Sequence, residues 1–352
     1  VPPKRILLGS PIRQKPEILQ EFLSSLNELD LQGIQLDFYF VDDNEDVSSK
    51  ELLQKFCAQK TSPTHCFVMV PPKPLVQTAY ICNETTHYWK EELVWKVADF
   101  KNKMLEQTLA DRYDYLFLID SDLILHPNTL HALLGADKEI VSNIFWTSWV
   151  ENAPPLPQVW LTDHYTQYAV DIGETLSAEE IAKRHQQFIC MLQQKGTYEV
   201  GGLGACTLIR ASALKKGVSF KRIKNVTFWG EDRHFCIRAS ALGIDLFVDT
   251  HYPAYHLYRA SNLSGIADFK ADNIRFYPNP VKEELKIMGA SGIRNMRADV
   301  YNVIGSKVLS KSFENNGASE SEIGAEGLDQ GVYFVKLYSN NKLIATKKFS
   351  KE

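Results

Sequence analysis

Short apolar runs alternate with amphipathic segments through the first 70 residues, which restricts the chain to a sheet whose neighbouring strands run largely parallel. The runs begin with R-I-L-L-G-S-P, an expected strand over 4–8. A helix is expected over 16–29, a second strand over 36–41, a helix over 49–60 and a third strand over 66–70. The second strand ends in acid, at Asp42 and Asp43. Residues 113–122, Y-D-Y-L-F-L-I-D-S-D, have the length and polar bounds of a strand buried on both faces. In open α/β sheets ligands sit beyond the carboxyl ends of such strands, which is where Asp120 and Asp122 fall. If the backbone stays extended, residues two apart project to one side. Both carboxylates can then approach one hard cation, Mg²⁺ or Mn²⁺, able to bind a diphosphate. The plainer alternative is an acidic turn that caps the next helix.

At 352 residues the chain exceeds one average domain of about 100–200 residues. Hydrophobic residues at 44%, charged residues at 23% and a net charge of -4 describe an ordinary globular composition without a strongly basic surface. Nucleic acid is therefore not an expected partner. No apolar stretch approaches the ~20 residues of a membrane span, and the first ten residues lack the apolar centre of a signal peptide. Cys57, Cys66, Cys82, Cys190, Cys206 and Cys236 form no C-x-x-C pair. They read as mostly buried thiols in a reducing compartment.

Further along, a helix is expected over 88–110, a strand near 139–144 and a helix over 177–195. An aromatic, proline-rich loop over 146–160 suits a pocket cover. F-W-G-E-D-R-H-F, residues 228–235, places Glu231 and Asp232 before a helix. A carboxylate there can accept a proton from an acceptor hydroxyl; the alternative is an acidic first turn favoured by the helix dipole. V-G-G-L-G-A-C, from Val200, permits close approach of backbone to a ligand around Gly202, or simply forms a glycine-rich sheet corner. His251 and His256 follow an apolar run, and either could complete a metal site or pack as an ordinary core histidine.

The order strand-D-D, K-N on a long helix, D-S-D, G-G-x-G, G-E-D and a late histidine resembles the family-two glycosyltransferases and their GT-A relatives. The resemblance covers residues 4–260. It implies an α/β fold with a mostly parallel central sheet and helices on both faces. It further implies nucleobase contact at Asp42 and Asp43, and contact of Asp120 and Asp122 with a metal and the donor's ribose and diphosphate. Asp232 is implied as catalytic base of an inverting enzyme, Glu231 as the group that orients the acceptor, and His256 as a further metal ligand. The Arg-Asn pair common near the donor stands here as Lys101 and Asn102. The Q-x-x-R-W motif of processive members is missing, so the implied enzyme is non-processive. It uses Mn²⁺ or Mg²⁺, a nucleoside-diphosphate sugar and a saccharide or other hydroxyl acceptor.

Beyond residue 273, short alternating strands separated by Gly, Asn and Ser turns predict a small all-β sandwich. F-Y-P-N-P, Y-N-V-I-G-S-K-V, L-D-Q-G-V-Y-F-V-K and the late K-K-F resemble a type IX secretion C-terminal sorting domain. The expected organisation is a transferase domain over 1–265, a linker over 266–272 and the sorting-type domain over 273–352. The tail implies contact with secretion machinery and export. Nucleotide sugars are cytoplasmic, and the expected location is accordingly the cytoplasm. Two alternatives stand beside glycosyl transfer: nucleotidyl transfer, which also uses paired carboxylates on a metal, and a secreted carbohydrate-binding or adhesive protein that uses Trp146, Trp149 and Trp160.

Overall fold

A computed structural model describes residues 2–72, 81–82, 87–88, 90–149, 153–226, 230–266, 269, 274–288, 296–313, 320–339 and 341–352. Two compact units divide the chain, Val1–Ala260 and Ser261–Glu352. Of the expected linker over 266–272, all but Ile266 and Phe269 lies outside the described residues.

The first unit opens with β1 (Lys4–Ile12), α1 (Pro16–Asn27), β2 (Ile34–Asp42), α2 (Val47–Ala58) and β3 (Cys66–Met69). Two short strands, β4 (Ile81–Cys82) and β5 (His87–Tyr88), pair with each other ahead of α3 (Glu91–Ala110). The strand before D-S-D is β6 (Tyr115–Leu118). It is followed by β7 (Leu123–Ile124), α4 (Thr129–Gly135), β8 (Ile140–Thr147), β9 (Leu156–Pro157) and α5 (Ala178–Leu192). Then come β10 (Thr197–Val200), β11 (Thr207–Arg210), α6 (Ala211–Lys215), α7 (Glu231–Ala241) and β12 (Leu246–His256).

The main sheet has the order β10-β12-β8-β11-β6-β1-β2-β3. Its β6-β1-β2-β3 half is wholly parallel. β11 runs antiparallel between β6 and β8, and β12 returns parallel to β8. Alternation along the strands sorts the core into two layers. Leu7, Leu116 and Leu118 face Phe100, Met104 and Leu105 of α3, whereas Ile6, Leu8 and Phe117 face Leu19, Phe22 and Leu26 of α1. Helix starts follow local chemistry: Pro16 opens α1, Asp46 accepts from the Ser49 N–H at 3.1 Å, and Ser177 accepts from the Glu180 N–H at 3.2 Å. The mostly parallel sheet, flanked by helices on both faces, is the architecture expected.

The second unit forms two antiparallel sheets. β13 (Arg275–Tyr277), β14 (Glu284–Met288), β15 (Met296–Asn302), β16 (Lys307–Phe313), β17 (Glu320–Gly324), β18 (Gly331–Ser339) and β19 (Lys342–Lys351) assemble as β13-β14-β17 and β16-β15-β18-β19. Leu285, Ile287, Val300, Val335, Leu337 and Phe349 close a separate core between them. The β15–β16 hairpin turns through Y-N-V-I-G, where Gly305 takes φ 83° and its N–H bonds the Asn302 carbonyl at 3.0 Å.

One expectation is corrected. Cys57 and Cys66, read as thiols, form a disulfide. The chain turns between α2 and β3 and brings their Cα atoms to 5.3 Å, although they are separated by 9 residues without any motif spacing. Cys206 and Cys236 are buried thiols and Cys190 is exposed. Such a bond belongs to an oxidising environment. Cys57→Ser should lower stability by about 2–3 kcal/mol, the value for a closed loop of this length, read as a reduced urea midpoint; an unchanged midpoint in oxidised samples would deny the bond any contribution.

Candidate active site

The acidic end of β6 does not stay extended. Ile119 still bonds the Gly9 carbonyl at 3.0 Å, but the Leu123 N–H then closes a turn on the Asp120 carbonyl at 3.4 Å. The turn follows from β7, which must pair with β12 and so departs from the main sheet. Asp120 and Asp122 both border the cavity at the ends of β1 and β2, but only Asp122 meets His256. In the β7–β12 pairing His256 stands opposite Leu123, and the Leu257 N–H bonds the Asp122 carbonyl at 2.8 Å. His256 Nε2 lies 3.4 Å from Asp122 Oδ2, while Nδ1 lies 2.7 Å from Thr147 Oγ1. His251 is elsewhere, half-exposed, with Nδ1 2.7 Å from Asp249 Oδ2.

Lys101 carries the electrostatics of the site. It lies on the inner face of α3 and is 3% exposed. Its Nζ donates to Glu231 Oε1 and Asp232 Oδ1, both at 2.9 Å. Burial opposes the charge, yet Asp232, Glu231 and Asp120 together hold the ammonium well above its ordinary value. The carboxyls move the other way. Burial pushes Asp232 up to about 6 against the pull of Lys101. Burial, with Asp122, Asp232 and Glu231 adding to it and Lys101 resisting, raises Asp120 to about 7. The neighbouring Asn102 side chain accepts from the Phe220 N–H at 2.8 Å, so the K-N pair braces two later segments. Glu231 and Asp232 form the first turn of α7, where the helix dipole favours carboxylates. Phe228 and Trp229 of the same motif lie outside the described residues.

Two larger cavities meet at Asp120. One, of about 710 Å³, is walled by Phe145, Trp149, Trp160, Tyr165 and Tyr168, and Asp120, Asp232 and His256 also line it. The other, of about 150 Å³, is bounded by Pro11 to Gln14, Asp43, Lys96 and Phe100, and by Asp120, Ser121, Asp122 and Glu231. Asp43 reaches this second cavity with its carboxylate on Lys96 Nζ at 2.6 Å. Asp42 does not line it; its Oδ1 accepts from the Asn44 side-chain amide at 2.8 Å.

The glycines of V-G-G-L-G serve packing as well as access. A side chain on Gly201 would overlap the Leu161 carbonyl, and one on Gly202 would overlap the Trp160 indole. Gly202 and Trp160 form an isolated bridge that straps the aromatic wall to this corner. Gly202 lines neither cavity, whereas Gly204 opens onto the larger one. Sequence reading passed over several lining or bracing residues: Lys96, Gln158, Tyr165, His185 and Arg233. Arg233 follows Asp232 and donates to the Asp163 carbonyl and, at 3.1 Å, to its carboxylate, which ties α7 to the loop bearing Tyr165. Apart from Arg233, which falls within F-W-G-E-D-R-H-F, none of these sits in a motif, so only their placement marks them.

Asp122 and His256 supply adjacent oxygen and nitrogen donors that suit Mn²⁺, whereas Mg²⁺ would draw on the carboxylate alone. Among the described residues no group of three or more His, Cys, Asp or Glu forms a ready metal cluster. Asp120, the third expected donor, faces the same small cavity as Lys101 and Asp232. Lys101→Met would leave two partly buried carboxylates without their cation, at a cost on the order of 3 kcal/mol. Chemical unfolding should show that loss; wild-type stability would remove Lys101 from this role.

Comparison with known proteins adds two profile matches. Residues 3–150 match the profile described as glycosyltransferase family 25, N-terminal domain, and residues 275–352 match a secretion system C-terminal sorting domain. The glycosyltransferase class is as expected, with family 25 as the matching profile where family two set the resemblance. No curated protein matches the chain. Solved structures with similarity include TarS of S. aureus, at 8% identity and TM-score 0.42, covering 99% of this chain and 77% of that one. TarS residues in complex with UDP give 12% identity and TM-score 0.42, over 76% and 65%. A mannosyltransferase from Pyrobaculum calidifontis, in complex with GDP-Man and Mn²⁺, gives 10% identity and TM-score 0.42, over 77% and 62%. The sorting match points toward export to the cell surface, and the expected cytoplasmic location finds no support. No described helix is long and apolar enough to cross a membrane. The α/β unit thus carries a glycosyltransferase-type match over residues 3–150, and the second unit a sorting-domain match over residues 275–352.

Proposed function

We propose that the enzyme moves a single sugar from a nucleoside-diphosphate sugar to an acceptor hydroxyl, with inversion at the anomeric carbon. The observation that carries this reading is Asp120 at the junction of two cavities, with Asp232 lining only the aromatic one of the two. The donor nucleotide occupies the cavity of Asp43 and Lys96, and the acceptor enters from the aromatic side. Residues 1–265 act as the transferase domain, residues 273–352 as the sorting domain that engages secretion machinery.

In the transfer, Asp232 accepts the acceptor's hydroxyl proton. The freed oxygen lone pair bonds the anomeric carbon as the bond to the diphosphate oxygen breaks, releasing nucleoside diphosphate. Lys101 holds the Asp232 carboxylate in place through its 2.9 Å bond, and Glu231 shares that cation while it orients the acceptor. Asp122, His256 and Asp120 would hold a divalent cation, Mn²⁺ or Mg²⁺, which when bound supplies positive charge to the diphosphate.

Asp232→Asn should cut turnover by about 10² to 10⁴, measured as nucleoside diphosphate released from a panel of donors. The wild-type rate should rise with pH and level off above about 6, where burial places the Asp232 carboxyl. Loss of the proton activates the base, so activity falls on the acid side. Near-normal turnover of the variant would exclude Asp232 as the base. Chelation by EDTA should abolish turnover and added Mn²⁺ should restore it; full activity in chelator would refute the metal requirement. Release of pyrophosphate in place of nucleoside diphosphate would assign the site to nucleotidyl transfer.

A further inference from the structure

We infer that the aromatic cavity selects a sugar-ring acceptor and that His185 of α5 is the specificity-determining residue that binds one of its hydroxyls. The inference rests on the glycosyl-transfer reading above and adds the acceptor's chemical class. Ile181, His185, Phe188 and Leu192 follow the spacing of one helix face, with Phe188 and Leu192 buried in the core. His185 thus takes an inward position that an apolar residue would ordinarily fill. Its Nε2 is buried and has no hydrogen-bond partner among the described residues.

Ile181 and His185 both line the 710 Å³ cavity. Three other polar side chains on that wall are engaged. The Gln158 side chain accepts from the Phe145 N–H and donates to the Asn143 carbonyl, both at 2.9 Å. Gln167 donates to the Pro157 carbonyl at 3.4 Å, and His256 is held between Thr147 and Asp122. Buried polar atoms without partners are rare because burial strips them of water. A ligand hydroxyl, which can donate to or accept from an imidazole, completes the pairing at His185.

The remaining wall fits the apolar face of the same ligand. Trp149 lines the cavity yet is 49% exposed. Arg259 fixes it by donating to the Ser148 carbonyl at 2.6 Å and the Trp149 carbonyl at 3.1 Å, and Tyr258 meets the indole edge-on at 5.4 Å. A rigid exposed ring beside a buried hydrogen-bonding nitrogen matches a pyranose, whose C–H face and hydroxyl rim need one of each. Asp232 in the same cavity is then the acceptor for the proton of another hydroxyl on that ring.

The test uses the full chain in the presence of UDP or GDP, with methyl glycosides of glucose, galactose, mannose and N-acetylglucosamine titrated by saturation-transfer NMR. At least one should bind saturably. His185→Ala should weaken it roughly five- to tenfold, the effect of losing one hydrogen bond, and His185→Gln, which keeps a donor and an acceptor, should recover most of that loss. Trp149→Ala, at an exposed position, should also weaken binding while the fold is retained, as circular dichroism would show. Equal affinity of wild type and His185→Ala would overturn the role of His185. Failure of every glycoside to bind, in a chain that still binds UDP or GDP, would overturn the sugar acceptor and leave the transferase reading intact. A chain that binds neither nucleotide would overturn that reading itself.

Discussion

The first unit is organised around one buried ammonium. Lys101 sits between Glu231 and Asp232, with Asp120 near enough to act on its charge. Such a cation is costly to desolvate alone, and the carboxylates are costly beside one another; together they offset much of both penalties. The cluster also has a mechanical effect. It joins the middle of α3 to the first turn of α7 across 130 residues of sequence, so the proposed base is fixed to an element of the core.

Around that cluster the sheet order supplies the space. β11, inserted antiparallel between β6 and β8, brings the glycine-rich corner ahead of it alongside the end of β6. The corner packs against Trp160, and the aromatic wall is built outward from there. On the opposite side the ends of β1 and β2 form the smaller cavity. Asp120 is shared because β6 is central, and a central strand's end is reached from both sides.

The two units carry different kinds of information. The first matches a glycosyltransferase profile, and the second matches an address. The Cys57–Cys66 bond, in the first unit, agrees with the second unit's implication of export, since such bonds persist in oxidising surroundings. The expectation of thiols arose because the six cysteines are scattered and form no C-x-x-C pair.

Local periodicity made the fold legible. Near-continuous burial of β1, β2 and β6, and burial of one face in α1, α3 and α5, is written in the order of residues, as is the acid that ends β2 and β6. The chain order also placed Glu231 and Asp232 at the start of a helix. What it left open was every pairing between distant segments. His256 rather than His251 meets Asp122 because β7 pairs with β12, Asp42 turns to Asn44 while Asp43 reaches the cavity, Gly202 supports Trp160, and His185 faces the cavity from an ordinary amphipathic helix. Side-chain periodicity encodes which face is buried but carries no term for what lies across from it. Contacts between residues 100 or more positions apart are decided only when the sheet closes and the helices pack upon it.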